Sequence, residues 1–365
     1  MIVVDKKQNC CGCGACANAC PAACIHMTAD EEGFLYPLVN TAACINCGQC
    51  NRVCPILKGK PKNLPNPAAY AAINRTDETR KTSSSGGLFS LLAEYVLKQN
   101  GVVFGAVFNK DFSISHAAIE KEEDIPLLRG SKYVQSDLGK CFQQAKQFLE
   151  DGRIVLFTGT ACQVAALLTF LHKPYPNLIT QDLICHGTPS PAVWKAYLKY
   201  RSDLAGSEIT EVSFRKKLDG KKGTHFYMRF ENGEEYIRSP HGSDDYMKWF
   251  LYNKCLRPSC HHCRFKGLRS SDITLADFWG IDAIAPAMND GNGISLVLAN
   301  TPKGEEILEA VREKIVCKKV RFRRALWKNP SYFYSAGVSP VRKKFMRDFQ
   351  LKPFAQVVKR HNKLL

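Results

Sequence analysis

Apolar residues at 88, 89, 91, 92, 95 and 96 keep helical spacing, which predicts a mostly buried helix over 88–98. Short apolar runs at 69–73, 101–108, 154–157 and 178–184 read as strands, while 138–150, 164–172 and 193–201 read as helices. Pro189 and Pro191 stand at the start of the last helix, where a missing N–H costs nothing. This alternation predicts an α/β layer of parallel strands. Ligands in such sheets bind beyond the carboxyl ends of strands, here Thr158-Gly159-Thr160 and Cys185-His186-Gly187. From 209 the period changes. Residues 209–214, 224–230 and 234–237 alternate and are joined by Asp219-Gly220 and Asn232-Gly233, which predicts an antiparallel hairpin insertion. A helix over 244–255, strands over 273–275 and 294–299, and a helix capped by Thr301 with Pro302 in its first turn complete the pattern.

No such periodicity organises the first 55 residues, which hold ten of the seventeen cysteines. Cys10, Cys13, Cys16 and Cys20 precede Pro21, and Cys44, Cys47, Cys50 and Cys54 precede Pro55. Each run is Cys-x2-Cys-x2-Cys-x3-Cys-Pro, the spacing by which bacterial ferredoxins wrap cubane iron–sulfur clusters. Three thiolates on a tight loop reach three irons of one cube, and the fourth points to the cluster of the other run. Cys10, Cys13, Cys16 and Cys54 are therefore expected to hold one [4Fe–4S] cluster, and Cys44, Cys47, Cys50 and Cys20 the second. Gly12, Gly14, Ala15, Ala17 and Gly48 let backbone amides approach the cluster sulfurs. Zinc knuckles use two short pairs per metal rather than two four-cysteine runs closed by proline. Cys11 and Cys24 are left over as bystanders. The expected division is an α+β ferredoxin-like dicluster module over 1–57, a lysine- and proline-rich linker over 58–68, an α/β domain over 69–317 and a basic tail over 318–365.

The formal charge of +17 is concentrated at one end. From 318 to 365 there are fourteen Lys and Arg against Asp348, a net of +13, which leaves 17 − 13 = +4 for the preceding residues. Two readings stand open: a docking surface for an acidic partner, or a helical tail packed through Phe345, Phe349 and Phe354. Nucleic acid is not an expected partner, and the sequence does not decide whether copies assemble. The uncharged stretch 154–171 has a polar, turn-like centre at 158–163, so it reads as strand, loop and helix and no transmembrane segment is expected. Thiols in metal-ligand spacing, with residues 1–8 running straight into the first cysteine loop, imply a reducing cytoplasm.

Two further sites follow from the residues. Ser83-Ser84-Ser85-Gly86-Gly87 opens the first long helix, and free amides there with the helix dipole make an anion cradle. Cys260 and Cys263 form half a metal site, with Cys162, Cys185 and Cys255 as candidate partners. A zinc knuckle of Cys255, Cys260, Cys263 and His261 or His262 is the alternative. Cys141 and Cys317 read as lone core thiols. His186 is a candidate proton donor.

Ser85-Gly86-Gly87, Gly130-Ser131-Lys132-Tyr133, Gly159-Thr160-Ala161-Cys162-Gln163, Ile184-Cys185-His186-Gly187, the Cys260/Cys263 pair and Ser271-Asp272-Ile273 make 68–300 recognisable. This region resembles the beta subunits of hydrogenases and formate dehydrogenases that use an 8-hydroxy-5-deazaflavin coenzyme. That family shares its flavin-binding core with 7-hydroxymethyl chlorophyll reductase and with bacterial homologues found near polysaccharide genes. The resemblance implies an α/β flavin-binding domain, FAD, and a third cluster on Cys162, Cys185, Cys260 and Cys263, with Cys255 as the substitute. Ala161 departs from the family's usual proline before that cysteine. The resemblance further implies that Ser84, Ser85, Gly86 and Gly87 cradle the FAD diphosphate, with Lys132 and Thr160 as contacts. It does not select a substrate.

The expected function is a flavin- and iron–sulfur-dependent oxidoreductase, exchanging electrons between a ferredoxin-type donor or acceptor and a small-molecule substrate. The alternative is an electron-transfer subunit that docks on a partner enzyme. Radical chemistry on S-adenosylmethionine is disfavoured, because its x3-then-x2 cysteine loop is missing from the chain.

Overall fold

The computed structural model describes residues 1–58, 66–239, 243–267 and 269–362. Most of the linker expected over 58–68 therefore lies outside the described residues. The N-terminal module is built on a two-stranded antiparallel ribbon, β1 (Ile25–Ala29) and β2 (Leu35–Val39). Each cysteine run turns through a left-handed glycine, Gly14 at φ +69° and Gly48 at φ +72°, into a four-residue helix, Ala15–Asn18 and Gln49–Arg52. Those short helices carry the fourth cysteine of each run away from the other three.

The larger part is an eight-stranded sheet. Its strands are β3 (Ala68–Asn74), β4 (Val102–Phe108), β5 (Ile114–Ile119), β6 (Val155–Thr158), β7 (Leu178–Leu183), β11 (Ile273–Asp277), β12 (Ser295–Ala299) and β13 (Ile315–Val320), in the order β13-β3-β12-β11-β7-β6-β4-β5. The strands are not all parallel, as the alternation predicted. Only β4, β6, β7 and β11 run parallel, and the antiparallel pairs β4/β5, β11/β12, β12/β3 and β3/β13 flank them. Local periodicity carries burial but not strand direction, which tertiary pairing decides.

Helices cover both faces. Leu88–Leu97 and Pro302–Ala310 bury Leu91, Leu92, Val96, Ile307 and Leu308 on one face. Cys141–Glu150 and Ala161–Leu171 bury Phe142, Val164 and Leu167 on the other, and Ala15 and Val53 of the N-terminal module pack into that same core. Thr301 accepts from the Gly304 amide at 3.1 Å with Pro302 in the first turn, so the predicted cap forms. The alternating region 209–238 is an antiparallel three-stranded sheet of β8 (Ile209–Lys216), β9 (His225–Phe230) and β10 (Glu235–Arg238). With Pro191–Ala205 and Asp245–Leu251 it encloses a second, aromatic core around Trp194, Tyr197, Phe214 and Trp249.

The C-terminal residues divide differently from the expected boundary at 317/318. β13 runs through it to Val320, paired with β3. Helices Arg342–Leu351 and Phe354–His361 then insert Phe345, Met346, Val357 and Val358 into the aromatic core, with Phe345 against Trp249. Arg342 is buried and paired with Glu32 of the N-terminal module at 2.5 Å. No helix among the described residues is long and apolar enough to cross a membrane.

Candidate iron–sulfur and anion-binding site

In the N-terminal module the two cysteine runs interleave. Cys54 of the second run lies within electrostatic range of Cys10 and Cys16 of the first. Cys20 of the first run has its sulfur 3.4 Å from that of Cys24, which in turn neighbours Cys44. Cys54 thus stands beside the first run, and Cys20 is linked to the second run only through Cys24. The Ile2 amide donates to Cys50 Sγ at 3.1 Å, and Cys47 is exposed. Burial pushes the Cys16 thiol up to about 12, helped by Cys10 and Cys54. Crowded neutral thiols of this kind are relieved when cations take the protons' place.

A second group forms where two parallel strands end. Cys162 is the second residue of the helix after β6, and Cys185 follows β7. The loop after Asp245–Leu251 brings in Cys260 and Cys263. Each of these four thiols lies within electrostatic range of the other three. Cys255 does not join them: it is fully buried in the aromatic core, beside Arg342 and Lys254. Polar groups line the set, with the Thr160 hydroxyl 3.1 Å from Cys162 Sγ and the Thr188 amide donating to Cys260 Sγ at 3.3 Å. Lys266 donates to the carbonyls of Cys185 and Ser331 and sets one positive charge beside the group. Burial pushes Cys260 up to about 11 and Cys185 higher still. The donor set is soft sulfur, enclosed and hydrogen-bonded at its edges, and it suits an iron–sulfur cluster. Among the described residues, no three His, Cys, Asp or Glu side chains close on one metal-ion position.

Cys11 joins the two regions. Its thiol lies within electrostatic range of Cys13 on one side and Cys162 on the other. It is a contact between the thiol groups rather than a bystander.

The serine–glycine loop takes a different form from an open cradle. Gly86 is wedged between strands: a Cβ there would lie 2.5 Å from the Ala72 carbonyl and 2.6 Å from the Ser295 amide. Its own amide donates to Ser295 Oγ and its carbonyl accepts from Asn74. Ser85 donates to the Ile294 carbonyl, and Ser84 accepts from the Ser131 amide at 2.8 Å. The backbone amides of the first turn of Leu88–Leu97, after left-handed Gly87, have no side-chain cap.

Around this turn the side chains are cationic. Arg129 donates to Ser90 and Thr82. Lys132 donates to the carbonyls of Leu128, Arg129 and Gly130 at 3.0–3.3 Å, and burial lowers it to about 7. Lys217, past the end of β8, donates to the carbonyls of Arg80 and Ser85, and burial with Arg80 and Arg215 lowers it to about 8. Nothing in the sequence marks Lys217, because Arg215-Lys216-Lys217 looks like a solvated hairpin edge. Thr160, expected among these contacts, instead caps its own helix with Gln163 and touches Cys162. His186 is held by Asn253 at 2.6 Å and lies edge-on to Phe250, next to Cys185.

Buried His116, lowered by burial to about 4, links the two sites: its Nε2 is 3.1 Å from the Thr158 carbonyl, beside Gly159, and it feels the charge of Lys132. A surface recess lined by Tyr70, Glu305, Glu309 and Arg312 holds none of these residues.

Comparison with known proteins fits this layout. Residues 152–323 match the family described as the C terminus of the coenzyme F420 hydrogenase/dehydrogenase beta subunit, and residues 9–56 match the 4Fe-4S dicluster domain. A coenzyme F420-dependent sulfite reductase of Methanocaldococcus jannaschii is 22% identical over 321 residues, 86% of this chain and 47% of its own length. The chain thus spans about half of that relative. An uncharacterized protein from the rpl9-rpl11 intergenic region of Porphyra purpurea is 38% identical over 53 residues, 13% of this chain and 67% of its own. The solved, xenon-derivatized F420-reducing [NiFe] hydrogenase complex of Methanosarcina barkeri contains a chain 20% identical at a TM-score of 0.48, covering 74% of this chain and 91% of its own. Residues 152–323 thus carry the match to the C-terminal region of coenzyme F420 hydrogenase/dehydrogenase beta subunits, and the match to a 4Fe-4S dicluster domain precedes it in the same chain.

Proposed function

We propose that the chain is an iron–sulfur flavoprotein oxidoreductase of the cytoplasm, moving electrons between a ferredoxin-type partner and a small-molecule substrate. When bound, [4Fe–4S] clusters carry single electrons and FAD exchanges them for a hydride. Cys10, Cys13, Cys16 and Cys54 hold one cluster, Cys44, Cys47, Cys50 and Cys20 the second, and Cys162, Cys185, Cys260 and Cys263 the third. Thr160, Thr188 and Lys266 offer the third set hydrogen bonds and charge that stabilise an anionic cluster.

The observation that carries this reading is continuity. Cys11 lies within electrostatic range of thiols of the first and third sets, and His116 meets the end of β6 at the Thr158 carbonyl and feels the charge of Lys132. Arg129, Lys132 and Lys217 bind the FAD diphosphate, and the uncapped turn after Gly87 adds amide donors. Ser84 positions Ser131, and Gly86 positions the turn by its close approach to β3 and β12. The names of the relatives make coenzyme F420 the first substrate to test. His186, between Asn253 and Cys185, is the candidate proton donor.

Anaerobic purification followed by acid release and chromatography tests the cofactor. One FAD per chain, lost in a Lys132→Met/Lys217→Met double variant, supports the reading. A protein with full iron and no acid-released flavin leaves it as an electron-transfer subunit for another enzyme.

A further inference from the structure

Arg257 belongs to the larger domain, yet its head group lies inside the N-terminal module. Its side chain is among the largest that are fully buried. Nε donates to the Cys10 carbonyl, Nη1 to Gln135 Oε1 and Nη2 to the Leu35 carbonyl, each at 2.9 Å. Nη2 also lies 3.7 Å from Cys10 Sγ. The guanidinium stacks 4.3 Å from the Tyr36 ring centroid and 5.4 Å from that of Phe34. Gly12 leaves the space for it: a Cβ there would fall 2.6 Å from Nη1. No carboxylate among the described residues closes an ion pair with it.

A buried charge without a counter-ion is costly, so a folded protein pairs it. The Cys10 thiol, able to become anionic, lies 3.7 Å from it, and Cys162 of the third set also lies within range of the same charge. Among the described residues the second module set has no equivalent. Arg52 beside it reaches the Cys47 carbonyl at 2.9 Å but is exposed, where water screens it.

We propose that Arg257 is the counter-ion of the cluster site formed by Cys10, Cys13, Cys16 and Cys54, and that it raises the reduction potential of that site above that of its twin on Cys44, Cys47, Cys50 and Cys20. The proposal rests on the ligand assignment given under the proposed function. Adding an electron makes the site one unit more negative, and a fixed buried cation with a donor aimed at the ligand sulfur stabilises that state. An electron given by a ferredoxin-type donor to the exposed Cys47 end is thereby drawn to the site beside Cys11 and the third set. Arg257 stands three residues before Cys260, so one segment carries both this cation and two thiols of the third set.

The test is an EPR-monitored redox titration of the anaerobically loaded full chain, with iron counted in every sample. In Arg257→Gln, one of the two module potentials should move down while the other stays in place. Arg257→Lys keeps the charge but cannot hold the Cys10 and Leu35 carbonyls together, and the same potential should move down by less. If Arg257→Gln fails to load iron, Arg257→Lys decides alone: a fall in one potential supports the role. Unchanged potentials, or equal shifts in both, overturn it. The ligand assignment fails separately, if Cys10→Ser in the native background removes neither of the two module signals.

Discussion

Lys132 and Lys217 each donate to backbone carbonyls where a carboxylate would ordinarily stand, and burial lowers them to about 7 and about 8. Above those values the unliganded lysines are largely neutral, and an anion that needs them charged must bring protons with it. FAD should therefore bind more weakly as pH rises from about 7 to about 9, and Lys132→Met should flatten part of that slope. Fluorescence titration of the apoprotein with FAD reads it, and a pH-independent Kd would speak against the cradle. The sign for the unliganded fold is the reverse. Folded values below the unfolded one of about 10.4 penalise the charged form, so stability is lowest near pH 7 and recovers toward pH 10. Elsewhere, buried Arg269 pairs with Asp182 of β7 at 3.1 Å. Arg269→Met leaves that carboxylate buried without a counter-charge, held only by hydroxyls such as that of Thr274, and should cost about 3–5 kcal/mol in chemical denaturation.

The residues readable in advance were those whose chemistry is written in spacing. The two Cys-x2-Cys-x2-Cys-x3-Cys-Pro runs are local, so each loop and helix follows from its own few residues. Cys162, Cys185, Cys260 and Cys263 meet only through the sheet, and the resemblance rather than spacing joined them. Lys217, Arg257 and Cys11 have nothing in their neighbours to mark them, because burial by distant segments gives them their surroundings.

At the scale of elements, the 3.6-residue pattern located the helices well, since burial on one face is a local property. Strand direction and the β5 (Ile114–Ile119) hairpin were not legible in the same way. The serine–glycine loop shows the difference. Gly86 fits where a strand pair leaves no room for a Cβ, so even Gly86→Ala should lower thermal stability, with FAD lost as a consequence. The tail divides similarly. Truncation after Cys317 cuts β13 midway and removes buried Phe345, a contact whose loss alone costs about 3–5 kcal/mol in typical cores. Reversing Arg342 would break its pair with Glu32, so it cannot report on docking. Lys318, Lys319, Arg321, Arg323, Arg324 and Lys328 are exposed and can. Charge reversal at Lys319, Arg323 and Arg324 should slow reduction by a ferredoxin at low salt if this surface receives it, and leave the melting temperature in place.

For the whole molecule, the N-terminal module and the larger domain are joined by buried polar contacts rather than by proximity alone. Arg257 enters the first cysteine loop, Arg342 grips Glu32, Thr169 donates to the Val53 carbonyl and Gln143 to that of Asn18. These contacts hold the two module sets and the third thiol group in one packed unit, the arrangement that the proposed single-electron exchange between them calls for. The central claim is that three cluster sites, two in the module and one at the ends of β6 and β7, form one chain of centres. Iron and zinc counted per chain in anaerobically purified native protein and in Cys185→Ser test it most directly. About twelve irons are predicted in the native protein and about eight in the variant. About eight irons with one zinc in the native protein would contradict it.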